Sequence, residues 1–546
     1  MDIPSLFMIP SAVSSGKVHS VFPNSTDADF DFNRDSDATR VNSEGLIERV
    51  GYYGSELITN GSFDTDSAWN KSNATISGGK GNLDGVGQVA LLWQTILTQN
   101  KFYKATFTIS NYNGQGQGRL MNNDGGSIYT ITSNGTFTIF FQHTIASGNF
   151  LFRAKDGAVY SIDNVSVKEV TGDRARLNYE IEGGLVNTKP SLLLEPQSTN
   201  EVTYSEKFNE WSNVGGVTLT SDISKSPDGS ISADGIQDTT GGSFKRIRIV
   251  KGSLSPNSTF TASVFVKKET SQINFGGIAL VYQNVSTATS YGIIDAVNGT
   301  IVNGSGSITP TFNVVDFGNY WRFEMTSTDN GSNTAVEFAI YGTLSNNGTS
   351  LGVGAGSVRT IWGAQLEQQS YCTSYIPTNG STQTRAAETC NGAGTSSILP
   401  SDEGILYCEI AALANDSTNR LFSLSNGTSQ NRIFLGFNSS SNSIRYRVQV
   451  ANVYQADNSV SVSDITLFNK IAIKYKANDF ALWINGSQVD TDTNGTTFSA
   501  GTLSELDFDS AAGGSPVYGK IRDIRVYNTK EMTDSEVDIL LTKITS

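Results

Sequence analysis

A chain of 546 residues has room for about three or four domains, each able to bury its own core. Only 16% of the residues are charged, and polarity comes instead from Asn, Ser, Thr and 54 Gly, beside 28 Phe and 20 Tyr. So many aromatics exclude disorder and describe an all-β protein rich in hairpins, while a formal net charge of −14 excludes a non-specific nucleic-acid or anionic-membrane binder, which needs clustered Lys and Arg.

Cys372, Cys390 and Cys408 are odd in number and lack a Cys-x-x-Cys spacing, so they read as small buried hydrophobes, not as a disulfide framework or zinc site. No apolar run approaches the roughly 20 residues needed to span a bilayer. The start, Met1-Asp-Ile-Pro-Ser-Leu-Phe-Met-Ile-Pro10, has no basic n-region, so no secretion signal is expected. Release by lysis is one route out of a cell for such a protein.

Residues 1–55 form a front end. Phe30 and Phe32 alternate with acids, and Val41, Leu46 and Ile47 add a few apolar positions. That is too little for an independent core, so the segment is expected to be ordered by a partner or by other copies of itself.

Residues 56–170 read as a first β module. Phe107 and Ile109 alternate with Thr106 and Thr108, and Phe137, Ile139 and Phe141 share a face, the period-two pattern of half-buried strands. Residues 171–200 are an extended joint, in which Pro190 and Pro196 bracket Leu192-Leu-Leu194. Residues 201–390 hold a second module and its exit linker, with Phe260, Ala262, Val264 and Val266 alternating with polar residues. The two modules read as diverged copies. Laid over each other without a gap, Val159/Val358, Ile162/Ile361 and Val167/Leu366 coincide, and Phe63 with Trp69 recurs as Phe208 with Trp211.

Residues 391–546 form the last domain. Ile444, Tyr446, Val448 and Val450 share one face, and Arg445, Arg447 and Gln449 share the other. Ile521–Tyr527 is the final strand. One short helix follows, with Thr533 as N-cap, Glu536 closing a capping box and Val537, Leu540 and Leu541 as its apolar stripe.

Several of these stretches resemble a known group. Ala38-Thr-Arg-Val-Asn-Ser-Glu-Gly-Leu-Ile-Glu48, Ser191–Asn200, Tyr204–Phe208 with Trp211, Trp362–Glu367, Thr373–Thr378 and Thr384–Ala386 resemble, in order and spacing, segments of tailed-bacteriophage virion proteins such as tail and head fibres. The first module is similar to galactose-binding-like jelly rolls that accompany glycanases. The last domain looks like a concanavalin A-like (laminin-G-like) sandwich, on Lys474–Gly486, Gly519–Tyr527 and the threonine-capped helix. The resemblance implies tandem jelly-roll modules ending in that sandwich, on a virion surface. It also implies attachment to other virion proteins through the front segment, and a homotrimer.

Candidate chemistry is sparse. Glu505, Asp507 and Asp509 alternate, so they can project from one face of a strand, as a nucleophile and acid about 5 Å apart would in retaining glycoside hydrolysis. The stretch is similar to the catalytic strand of laminarinase-type glycanases, but Asp509 stands where those enzymes carry Glu. Asp490, Asp492 and Asn494 open like a calcium loop, yet Gly501 stands where its twelfth-position Glu belongs, so a plain turn competes with bound calcium. For sugar binding the candidates are Trp93, Tyr291 and Trp483 as aromatic platforms, with Arg445 and Arg447 beside them. Each aromatic has core packing as its rival. The expectation is a non-enzymatic virion surface protein without a cofactor, displaying glycan-binding sandwiches for host attachment. A purely architectural decoration and a polysaccharide depolymerase are the alternatives.

Overall fold

The computed structural model describes residues 3–546 except 15, 100, 123–126, 172–173, 239–244, 271–274, 332, 346–352 and 355. Contacts divide the chain into two compact units, Met1–Val50 with Asp173–Ser546 and the continuous stretch Gly51–Gly172.

Gly51–Gly172 is a sandwich of two antiparallel sheets. One runs Gly135–His143, Lys101–Ser110, Val159–Thr171, Lys80–Asp84, Ala74–Ser77, and the other Ser127–Ile131, Gln117–Met121, Asn149–Lys155, Ala90–Thr95, Asn70–Ser72. The alternation around Phe107 is realised as read. Phe107 and Ile109 are buried, while Thr106 and Thr108 face outward and bond across the ladder to Thr138 and Thr136.

The second module, in the larger unit, repeats this plan, with a further edge strand on each sheet's main path. Its first sheet runs Thr311–Phe317, Tyr320–Thr328, Thr259–Lys267, Val358–Glu367, Ile231–Gln237, Thr218–Lys225. Its second runs Thr300–Asn303, Ala288–Asp295, Phe275–Gln283, Ala335–Ser345, Arg246–Gly252, Ser212–Val214. The likeness reaches single residues. Both closing strands bulge against their neighbour, and the ungapped overlay pairs Asn164 (φ 52°) with Gly363 (φ 60°), the left-handed residue in each bulge. Trp69 and Trp211 each pack on the matching Phe, with ring centroids 5.1 and 5.4 Å apart.

The last domain packs an 8-stranded sheet against a 5-stranded one. The larger sheet is assembled from distant stretches. Gly519–Asn528 pairs on one side with Gly404–Ala412. On the other it pairs first with Ser191–Leu194 of the joint and then with Leu6–Met8 of the front segment. Val13–Ser14, Lys17–Val18, Phe30–Asn33 and Thr389–Asn391 form a further small sheet. Phe30 and Phe32 turn inward, Asp31 and Asn33 outward, and the Phe30 ring lies 5.1 Å from that of Phe508. The front end therefore differs from its expected role as a segment ordered from outside. Leu6, Met8, Val18, Phe30 and Phe32 belong to the core of the last domain, because Gly519–Asn528 leaves a backbone edge that only distant strands complete, while Ile47 packs with Phe265 and Trp362 of the second module. Cys390 and Cys408 lie in the same core as free thiols.

The C-terminal helix Asp534–Thr545 begins at the expected capping box and buries Val537, Leu540, Leu541 and Ile544 on the outer face of the 8-stranded sheet. Alone, a helix of 12 residues is marginal in water. Burying those side chains at about 1.5–3 kcal/mol each holds it in place.

A buried ionic knot ties these pieces together. Glu388 accepts from Arg34 Nη1 at 2.7 Å and from Arg176 Nε at 2.9 Å, and Glu195 accepts from Arg176 Nη1 at 2.7 Å and lies 2.9 Å from Arg385. All five side chains are almost fully buried. Against the opposing effect of burial, Arg385 and Arg176 hold the Glu195 carboxyl down at about 2, below its usual 4.5. Other buried carboxyls move the opposite way. Burial, reinforced by Asp228, pushes Glu206 up to about 7, and burial pushes Asp234 and Asp238 each to about 6.

The signs give a pH prediction. A depressed carboxyl contributes stability above its unfolded pKa that is lost as pH falls toward the folded one; a raised carboxyl costs stability above its folded pKa and ceases to cost it as pH falls. The urea midpoint is therefore expected to rise from about pH 8 to about pH 5, then fall below about pH 4 as Glu195 and Glu388 lose their charge advantage. A midpoint that drops steadily from pH 8 to pH 5 would contradict it.

Candidate functional site

The 5-stranded sheet of the last domain runs Val453–Ser461, Ser443–Val450, Arg432–Phe437, Arg420–Ser425, Glu505–Asp507. Its inner face is apolar, with Leu424, Ile433, Leu435, Tyr446, Val448 and Leu506 in the core. Alternation then puts the intervening residues on the outer face in straight cross-strand rows. One row reads Asp507, Ser423, Phe434, Arg447, Asp457. The next reads Glu505, Ser425, Arg432, Gln449, Tyr454, and Arg445 lies beyond the first row, opposite Gly436.

Three guanidinium groups crowd the ring of Phe434, those of Arg447, Arg432 and Arg445 standing 5.1, 5.2 and 5.8 Å from its centroid. Arg445 makes a two-pronged pair with Asp457 at 2.9 and 2.8 Å, and Arg447 donates to the same carboxylate at 2.7 Å. Burial opposes the charge on Asp457, but these bonds hold its carboxyl below the usual range. The Arg447 guanidinium also lies 3.8 Å over the ring of Tyr454, which is 56% exposed. The result is a polar, aromatic-bearing surface with planar hydrogen-bonding groups, suited to hydroxylated rings.

The acidic strand lies at one edge of this same face. Leu506 exchanges backbone hydrogen bonds with Ala393, so the strand is flanked on both sides. Asp507 accepts from the Gly392 N–H at 2.7 Å and Asp509 from the Asn391 side chain at 2.9 Å. Burial pushes Asp507 up to about 6 and raises Asp509, whose Oδ1 meets no hydrogen-bond donor. Both carboxyls are almost fully buried, while Glu505 is half-buried.

The other sequence-derived candidates lie apart. Trp483 is not a platform: it is 8% exposed beneath the C-terminal helix, because that helix's apolar stripe needs an apolar sheet face. Tyr291 lies half-buried on the outer face of the second module, against Ala279, Ala339 and Tyr341. Trp93 is half-buried on the outer face of the first module, in a row with Asn70, Leu151 and Met121. In the proposed calcium loop, Asp490 accepts from the Tyr446 hydroxyl at 2.6 Å and Asp492 from the Asn494 N–H at 2.9 Å. Among the described residues no group of three or more His, Cys, Asp or Glu is arranged to hold a metal ion.

Sequence reasoning found Arg445 and Arg447 but missed Arg432, Phe434, Tyr454 and Asp457. The alternation of Arg432 and Phe434 with Ile433 and Leu435 was a readable signal. The pairing that brings Tyr454 and Asp457 alongside was not, since the ladder shifts register between Val448 and Gln449. A crevice of about 740 Å³ elsewhere in the larger unit is lined by Phe317, Arg322, Glu324 and Arg522, and none of the sequence-derived candidates lines it. Arg322 lies 3.5 Å from Glu324 and Arg522 lies 3.6 Å from Glu180.

This architecture is all-β: tandem sandwich modules followed by a concanavalin A-like sandwich. Residues 408–538 match the family model described as the concanavalin A-like lectin/glucanases superfamily. Solved structures similar to the chain include the N-terminal CBM22-1-CBM22-2 tandem domain of Paenibacillus barcinonensis Xyn10C, at 10% identity and TM-score 0.24 over 58% of this chain and 98% of that one. Domains LG4-5 of the mouse laminin alpha1 chain are similar at 10% identity and TM-score 0.19, over 51% of this chain and 85% of that one. No curated protein matches the chain in sequence.

Proposed function

We propose that this chain is a surface protein of a tailed-phage virion that binds host glycans through the outer face of its 5-stranded sheet and cleaves nothing. The observation that carries the reading is the gathering of Arg432, Arg445, Arg447 and the 56%-exposed Tyr454 on one outer face, around the buried ring of Phe434. An exposed ring beside fixed guanidinium donors offers stacking and directed hydrogen bonds together. The virion setting and the homotrimer rest on the resemblance of the Ala38–Glu48, Ser191–Asn200 and Thr373–Ala386 segments. Repetition of a shallow site in a trimer would multiply weak contacts through avidity.

A second reading, a depolymerase, is favoured by one observation: Asp507 lies on this face and Asp509 just past the end of its strand, both with raised carboxyls. Both readings are tested by probing a glycan array with the full chain and assaying for released reducing ends. Binding without release, weakened at least about tenfold in Arg447→Ala, is the expected result. Release that disappears in Glu505→Gln would replace it with the depolymerase. Absence of binding to every glycan would leave architectural decoration. Truncating residues 1–55 cannot serve as the attachment test, because it also removes Leu6–Met8 and Phe30 from the core of the last domain.

A further inference from the structure

The chemistry of the arginine face goes beyond glycan binding in general. On a chain of net charge −14, three guanidinium groups stand around one phenyl ring. Asp457 bonds two of them, Arg445 and Arg447. Arg432 donates instead to the Ser510 carbonyl and, at 3.4 Å, to Gln449. The Nε atoms of Arg432 and Arg447 are buried and meet no acceptor. Burial, with Arg447 next in weight, pulls the Arg432 guanidinium below its ordinary value, whereas the bond to Asp457 raises Arg445 above its own.

We propose that the ligand of this face is an anionic polysaccharide, whose carboxylate, sulfate or phosphate groups pair with Arg432 and Arg447 while a sugar ring stacks on Tyr454. The proposal rests on the reading that this face binds glycans. Geometry favours a polymer over a single ring. With strands about 4.8 Å apart, the three that carry Arg432, Arg445 with Arg447, and Tyr454 span roughly 10 Å, more than one sugar ring, while Asp507 and Glu505 at the far end of the rows would repel an anion. Charge distribution disfavours nucleic acid, since three arginines on one acidic chain do not make the extended basic track that a phosphate backbone needs. Asp457 already occupies the position of an anion here, and a bound acidic group would compete with it for the two guanidiniums.

That competition supplies a test that misfolding cannot imitate. The full chain is titrated by calorimetry with dextran sulfate, alginate and neutral dextran at rising salt, beside a single-stranded DNA control. Expected are binding of at least one of the two anionic polymers, weakening with salt, at least about tenfold loss in Arg447→Gln, and a several-fold gain in Asp457→Asn, which frees both arginines. A sulfate requirement would show as dextran sulfate alone, a carboxylate requirement as alginate alone. Neutral dextran bound as tightly as the acidic polymers, with no response to Asp457→Asn, would overturn the proposal while leaving glycan binding intact. DNA bound as tightly as dextran sulfate would overturn it as mere charge attraction. Failure to bind any polysaccharide would overturn both.

Discussion

Glu388→Gln is expected to lower the stability of the larger unit by about 3–5 kcal/mol, although the substitution keeps the shape of the side chain. Glu388 pairs with both Arg34 and Arg176, and all three are fully buried. Losing the carboxylate leaves Arg34 with neutral acceptors only, the new amide oxygen and the backbone carbonyls of Ser36 and Val50, and with Asp37 as its one remaining nearby negative charge. Desolvating a guanidinium without a counter-ion is the costly event, more than the loss of any one hydrogen bond. Arg176 is less affected, since Glu195 remains at 2.7 Å. The measurement is the urea midpoint of the variant against the parent, followed by near-ultraviolet dichroism. Adding Arg34→Leu to the variant is expected to recover part of the loss, because it removes the orphaned charge. A single-variant loss under about 1 kcal/mol would mean that the knot adds little to stability.

The second large effect concerns where the chain can be cut. Residues 391–546, expressed alone, are expected to aggregate, even though they include the whole stretch that matches a family model. Without residues 1–390, the strand Gly519–Asn528 keeps only one neighbour and its other edge lies open. Leu6, Met8, Phe30, Leu192 and Leu194 are also missing from the core they fill. Deleting residues 51–172 is expected to do little by comparison. The first and last strands of that unit pair with each other, Tyr52 opposite Thr171, so its two ends lie about 5 Å apart and a short Gly-Ser bridge can close the gap. Size-exclusion chromatography and cooperative unfolding distinguish the outcomes. A soluble, cooperatively folding 391–546 fragment would show that the borrowed strands are dispensable.

Much of this architecture was legible in local pattern. The alternation at Phe107, at Phe260 and at Ile444 turned each apolar side chain inward as read, and the Thr533–Glu536 box started the helix where its residues place it. The ungapped overlay of the two closing strands holds in the structure, where it also aligns the bulges at Asn164 and Gly363. A third of the candidate face was legible for the same reason, because Arg445 and Arg447 alternate with core residues.

Those features depend on neighbours within a few positions, so the sequence alone determines them: a strand's two faces follow from a period of two, and a helix cap from a spacing of three. Partner choice is a different kind of property. That Leu6–Met8 joins Gly519–Asn528, or that Arg34 meets Glu388 across 354 positions, follows from which backbone edge and which buried charge remain unsatisfied once the sheets have formed. The fate of Trp483 was settled the same way, by a helix that needed its face of the sheet. The arginine face exists because two hairpins and a register shift bring Arg432, Phe434, Tyr454 and Asp457 beside Arg447, and only the folded ladder decides that register.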